Sequence, residues 1–198
     1  MTINGTAQGV YNPSGAIFVY AQAGIDNIQF ETAKFTGQTR YIQDAAFVFG
    51  GDGNDSLDAR GSSANNVIVG GTGNDTIWGG TGRDILIGGQ GADTLRGGAG
   101  DDLLIGNGTI YDANVAALTA LLTEWGRTDA NYGTRANNLL GQSGGLNNGY
   151  FLDPNTVLSD AVVDQLYGEG GLDLFFTGFT TPADTANDFS GGEMKIGL

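Results

Sequence analysis

The chain has 198 residues, 36 of them Gly and only 3 Pro, with 8 basic against 22 acidic side chains and a net charge of −14. It has no Cys and no His, which excludes disulfides, Cys-based zinc sites, zincin chemistry and His-based catalytic triads. The negative balance disfavours nucleic acid and anionic membranes, and no transmembrane run or signal peptide is visible. The acids are spaced rather than blocked, so the charge fits a cation binder better than an acidic tail.

Residues 1–49 read as worn copies of a nine-residue unit that becomes explicit further on. Ala21 to Gln29 (AQAGIDNIQ) has Gly24 at place four, Asp26 at place six and Ile28 at place eight. Asn12 to Tyr20 keeps Gly15 and Val19 without the acid, and Tyr41 to Phe49 keeps only a strand with Val48 inward. Phe30 to Arg40, eleven residues, is an insertion or a loop. These coils are expected to be held by packing, most of them without metal.

Residues 50–110 carry the clear repeat. GGDGNDSLD, Gly50 to Asp58, is a full copy, followed by a two-residue insertion, Ala59 and Arg60. GSSANNVIV, Gly61 to Val69, has Asn66 where the acid should stand, which predicts a weak or empty half-site. Four units then follow without a slip: GGTGNDTIW, GGTGRDILI, GGQGADTLR and GGAGDDLLI, from Gly70 to Ile105. Place six holds Asp75, Asp84, Asp93 and Asp102, and place eight holds Ile77, Leu86, Leu95 and Leu104. Six residues turn a corner where glycines allow φ > 0. Three residues make a strand whose middle side chain points inward. Two units close one coil. Turns on one side therefore recur every 18 residues, about 4.8 Å apart, which brings Asp75 near Asp93 and Asp84 near Asp102. Stacked carboxylates would repel; hard oxygen ligands of this kind suit Ca²⁺ between successive turns.

This repeat resembles the repeats-in-toxin (RTX, hemolysin-type) family of secreted bacterial proteins, over Gly50 to Asp58 and Gly70 to Ile105. The resemblance implies a mainly β fold, a right-handed parallel β-roll. It also implies that one turn offers carbonyls from places one, three and five, and its neighbour carbonyls from places two and four plus the sixth-place Asp. Carried over, the carboxylate ligands are Asp55, Asp75, Asp84, Asp93 and Asp102. The carbonyl ligands come from Gly50, Gly51, Asp52, Gly53 and Asn54 in the first full copy. The next two units supply Gly70, Gly71, Thr72, Gly73 and Asn74, then Gly79, Gly80, Thr81, Gly82 and Arg83. The last two supply Gly88, Gly89, Gln90, Gly91 and Ala92, then Gly97, Gly98, Ala99, Gly100 and Asp101. Retained acid turns with a same-side neighbour suggest about four to six ions.

The outward positions separate the two strand faces. Ser56, Asp58, Thr76, Trp78, Thr94 and Arg96 are mostly polar. Phe47, Phe49, Val67, Val69, Ile85, Ile87, Leu103 and Ile105 are apolar, so those strands should be buried on both sides. The cover is expected from residues 111–157. Val115, Leu118, Leu121, Leu122 and Trp125 recur at helical spacing, with Asp112 as N-cap and Gly126 as terminator. A helix over 113–125 is about 20 Å long and four strands span about 14 Å, so it can lie across the sheet. The alternative is that the sheet docks a second copy or a partner. A second helix is predicted from Thr134 to Leu140, ending at Gly141, and GQSGGLNNG reads as loop.

Residues 158–198 return to the rhythm. Ser159 to Tyr167 holds Asp164 and Leu166, and Gly168 to Phe176 holds Gly171, Asp173 and Phe175, with Asp173 the better ligand candidate. Thr177 to Leu198 closes the roll or carries the uncleaved C-terminal signal that type I export of this family reads. The expected function is a calcium-dependent structural module, secreted or on the cell surface, and not an enzyme. The other readings are an adhesion surface, an ice-binding array, which Trp78 and Arg96 interrupt, and a solenoid enzyme acting on uronates, for which basic residues are few.

Overall fold

The computed structural model describes residues 1–4, 6–7, 15–35, 38–142, 144–178 and 184–197. The start of the Asn12–Tyr20 unit, Thr36 and Gly37, Ser143 in the loop, Phe179–Ala183 and Leu198 lie outside the described residues. Strands form two facing sheets, each threaded alternately by the chain. One contains, in spatial order, Thr185–Ala186, Gln165–Gly170, Thr94–Ala99, Thr76–Trp78, Ser56–Asp58 and Asn27–Gln29, all parallel. Its far edge is closed by Thr2–Ile3 and Thr6–Ala7, which run antiparallel. The other sheet runs Met194–Gly197, Leu174–Thr177, Leu103–Asn107, Ile85–Gln90, Val67–Thr72, Ala46–Asp52 and Ile17–Tyr20, parallel throughout.

The register shows that the coil survives its insertions. Ile77 pairs with Leu95 and Leu86 with Leu104, a step of 18. Leu57 pairs with Ile77, a step of 20, which absorbs Ala59 and Arg60. Ile28 pairs with Leu57, a step of 29: the coil's 18 and the eleven residues of Phe30–Arg40. Inside that insertion Ala33–Phe35 and Gln38–Arg40 form an antiparallel pair. Leu95 pairs with Leu166 and Leu104 with Phe175, each a step of 71, so both strands resume the coil after a detour of 53 residues.

Between the sheets lies a core of inward middle residues. Ile28, Leu57, Ile77, Leu95 and Leu166 face Val48, Ile68, Leu86, Leu104 and Phe175, all buried. Each such side chain contributes about 1.5–3 kcal/mol. A second core covers the outer face of the second sheet. There Phe47, Val67, Val69, Ile85, Ile87, Leu103 and Ile105 meet Leu118, Leu121, Leu122 and Trp125 of helix α1 (Val115–Gly126). Ala136 and Leu139 of helix α2 (Tyr132–Leu139) join them. Leu118 and Trp125 are fully buried, so this face is occupied by the chain's own helices rather than offered to a second copy.

Asp112 is not the N-cap of α1. Asn114 is, its side chain accepting from the Ala117 N–H. The Asp112 carboxylate is instead held in a turn by the Thr109 N–H and hydroxyl. Gly126 is the last helical residue, with Arg127 at the C-cap. Helix α2 begins two residues before the expected start at Thr134 because Asn131 caps it, accepting from the Thr134 N–H. Gly141 follows its end at φ +72°.

Candidate metal centre

The sixth-place acids form two buried columns, one along each edge of the roll. In the first, the Asp26 N–H donates to Asp55 Oδ1 at 2.8 Å, Asp55 N–H to Asp75 Oδ1 at 2.7 Å and Asp75 N–H to Asp93 Oδ1 at 2.7 Å. Asp93 N–H continues to Asp164 Oδ1 at 2.8 Å and Asp164 N–H to Asp184 Oδ1 at 3.1 Å. In the second, Asn66 N–H donates to Asp84 Oδ1 at 2.7 Å, Asp84 N–H to Asp102 Oδ1 at 2.8 Å and Asp102 N–H to Asp173 Oδ1 at 2.7 Å. One carboxylate oxygen of each acid thus braces the neighbouring coil. The columns run through the 53-residue detour without a break.

The other oxygen decides the chemistry. Oδ2 of Asp55, Asp75, Asp93, Asp102 and Asp173 is buried and has no hydrogen-bond partner among the described residues. Each lies beside the glycine that opens its own turn. A Cβ on Gly70 would collide with Asp75 Oδ2 and the Gly88 carbonyl; on Gly88, with Asp93 Oδ2 and the Gly106 carbonyl. Gly50 and Gly97 repeat the arrangement, with Asp55 Oδ2 and the Gly70 carbonyl, and with Asp102 Oδ2 and the Gly168 carbonyl. A carboxylate oxygen and a carbonyl oxygen of the next coil therefore flank the same point, and the carboxylate oxygen has no hydrogen-bond donor among the described residues. Burial without such a partner costs a charged group several kcal/mol, so the corner calls for a proton or a cation. Burial pushes Asp75 up to about 6, and Asp93 and Asp173 up to about 7. Burial, then the nearby Asp84 charge, carries Asp102 well above the usual carboxylate range.

Two corners differ. The turn Gly79–Asp84 stacks on Gly61–Asn66, where Ser62 and Ala64 hold places two and four. Gly71, Gly73, Gly98 and Gly100 take positive φ between +105° and +125°, whereas Gly80 and Gly82 do not. The Gly80 N–H instead donates to Asp84 Oδ2 at 2.7 Å, and Asn66 Nδ2 donates to Asp84 Oδ1 at 2.8 Å. Both Asp84 oxygens are already engaged, unlike those of the other repeat acids. The second exception is Asp164 with Asp184. Sequence reasoning rated Asp164 below Asp173 and missed Asp184, yet both are buried in the first column. The signal for Asp184 was available: it follows Asp164 by 20 residues, the same step as Asp55 to Asp75, and Ala186 stands at its inward place.

No three carboxylates, histidines or cysteines converge on one point among the described residues. Residues 47–61, 60–95 and 79–108 match the family model described as the RTX calcium-binding nonapeptide repeat, of four copies. The chain carries RTX calcium-binding repeats. No curated protein and no solved structure matches the chain. The RTX match ends at residue 108, one residue past the strand Leu103–Asn107, although the acid columns extend through the returning coil to Asp173 and Asp184. Calcium suits these RTX corners: it takes six to eight oxygen ligands in flexible geometry and accepts backbone carbonyls readily.

Proposed function

We propose that this chain is a calcium-folded structural module of a secreted or surface protein, without catalytic activity of its own. The observation that supports it is the set of five buried Asp Oδ2 atoms without a hydrogen-bond partner among the described residues, four of which flank the same point as a carbonyl oxygen of the adjacent coil. Asp55, Asp75, Asp93, Asp102 and Asp173 supply the carboxylate ligands. Carbonyls of Gly50–Asn54, Gly70–Asn74, Gly88–Ala92 and Gly97–Asp101 supply the remainder, giving about five ions. Asp84 stands outside this set of carboxylates because both of its oxygens accept from protein donors. The coils wind right-handed, as parallel crossover connections almost always do.

At low calcium the ionised columns repel and the chain stays loose enough for export. In the extracellular range, where such modules bind at about 10⁻⁴–10⁻³ M, occupation of the corners becomes folding free energy. An ion at ten times its Kd adds about 1.4 kcal/mol per site. The described residues contain no helix long and apolar enough to cross a membrane. Circular dichroism and thermal melting in EDTA, then with excess Ca²⁺, test the reading. A gain of β signal and a rise in Tm on calcium addition are expected; identical melts in the two conditions would defeat it.

A further inference from the structure

Resting on that reading, we infer that the Asn107 carboxamide stands in for a cation at the corner of Gly106, Asp164 and Asp184, so that the returning coil closes there without metal. Asn107 is the first residue at which the nonapeptide fails. It pairs in register with Gly89, the second-place glycine of the coil below, so a side chain stands where the repeat would have none. That side chain is buried, and its Nδ2 donates to Asp184 Oδ2 at 2.9 Å and to Asp164 Oδ2 at 3.2 Å. The amide cannot be turned the other way, because the Asp160 N–H donates to its Oδ1 at 2.9 Å. The Gly178 N–H adds a donor to Asp184 Oδ2 at 2.8 Å.

The contrast with the rest of the column is chemical. A Cβ on Gly88 would meet a lone Asp93 Oδ2 and a carbonyl, with no donor between them. A Cβ on Gly106 would meet two carboxylate oxygens, Asp164 Oδ2 at 2.5 Å and Asp184 Oδ2 at 2.8 Å. These two oxygens do have donors, and both share the same one. Asn66 plays the comparable part in the second column, where its amide donates to Asp84 Oδ1 and to the Ala64 carbonyl. The metal-bearing stretch of each column is therefore bounded by an asparagine. The first column is bounded where the 53-residue helical detour leaves the roll, so the two carboxylates of this junction take their donors from the chain itself once the coil has formed.

The test counts ions in the full chain by equilibrium dialysis against excess Ca²⁺ with elemental analysis. Asn107→Asp removes the amide donor and adds an oxygen ligand, and should bind one more ion per chain than the wild type. The double variant Asp164→Asn with Asp184→Asn, which keeps the Oδ1 acceptors, should bind the same number as the wild type. It carries the test alone if Asn107→Asp does not fold. An unchanged count in folded Asn107→Asp, or a lower count in the double variant, overturns the inference while leaving the calcium module intact. A wild type that binds no calcium overturns both.

Discussion

Asp75→Asn should change stability in opposite directions with and without calcium. Asp75 Oδ1 accepts the buried Asp55 N–H at 2.7 Å, and an asparagine oxygen can keep that bond. What the substitution removes is the charge on the partnerless Oδ2. Burial raises this carboxyl from 3.8 to about 6. A raised acid contributes stability below its unfolded pKa and loses it as pH rises through the folded value. At pH 8 in EDTA the ionised fold is therefore penalised by up to about 3 kcal/mol, from roughly 1.4 kcal/mol per unit. The new amide nitrogen, placed beside the Gly88 carbonyl, can also donate where the carboxylate could not. Asp75→Asn should thus be more stable than the wild type in EDTA at pH 8 by about 1–3 kcal/mol, and indistinguishable from it near pH 4. With calcium in excess it should lose an ion's contribution and be less stable. Urea unfolding followed by circular dichroism reads all three conditions. The reasoning is refuted if the variant is weaker in EDTA at pH 8, or if its calcium-induced stabilisation equals the wild type's. Asp75→Ala is the control: it strands the Asp55 N–H and should cost about 1–3 kcal/mol under every condition.

Calcium binding should release protons at pH 6 to 7, because Asp75, Asp93 and Asp173 titrate there in the metal-free fold and must ionise to bind. Calorimetry in buffers of different ionisation enthalpy measures the release, and apparent affinity should fall as pH drops below about 7. Gly88→Ala should destabilise by at least about 1–3 kcal/mol and weaken calcium binding, since its Cβ has no room between Asp93 Oδ2 and the Gly106 carbonyl; Gly144→Ala, with nothing within 4 Å, should be neutral. Comparative calcium melts separate the two. Leu118→Ala, under the helical cover, should cost about 2–5 kcal/mol without altering the number of ions bound, as counted by dialysis.

The candidate site was half legible in the sequence. The ninefold rhythm alone predicts that Asp75 meets Asp93 and Asp84 meets Asp102, and both pairs form. The two-faced apolar strands announce a cover, and the helical spacing of Leu118 to Trp125 names it. Asp112 and Asn114 are chemically equivalent as caps, so the sequence does not choose between them; Thr109 does, because its N–H and hydroxyl claim the Asp112 carboxylate and leave Asn114 to the helix. Asp184 was overlooked because its coil has lost the opening glycines. Only the 20-residue step from Asp164 marks it.

What the sequence by itself determined is the coil: period, inward residues and the side on which each acid falls, since these follow from backbone geometry repeated every nine residues. Which acids keep a buried oxygen without a hydrogen-bond donor among the described residues was decided by tertiary structure. Asp84 and Asp75 occupy identical places in nearly identical nonapeptides, yet the first is satisfied by Gly80 and Asn66 and the second has a partnerless oxygen. The difference comes from the coil stacked beneath each, Ser62 and Ala64 in one case and Gly51 and Gly53 in the other. A turn takes its shape from the neighbour it rests on, and that neighbour lies 18 or 20 residues away.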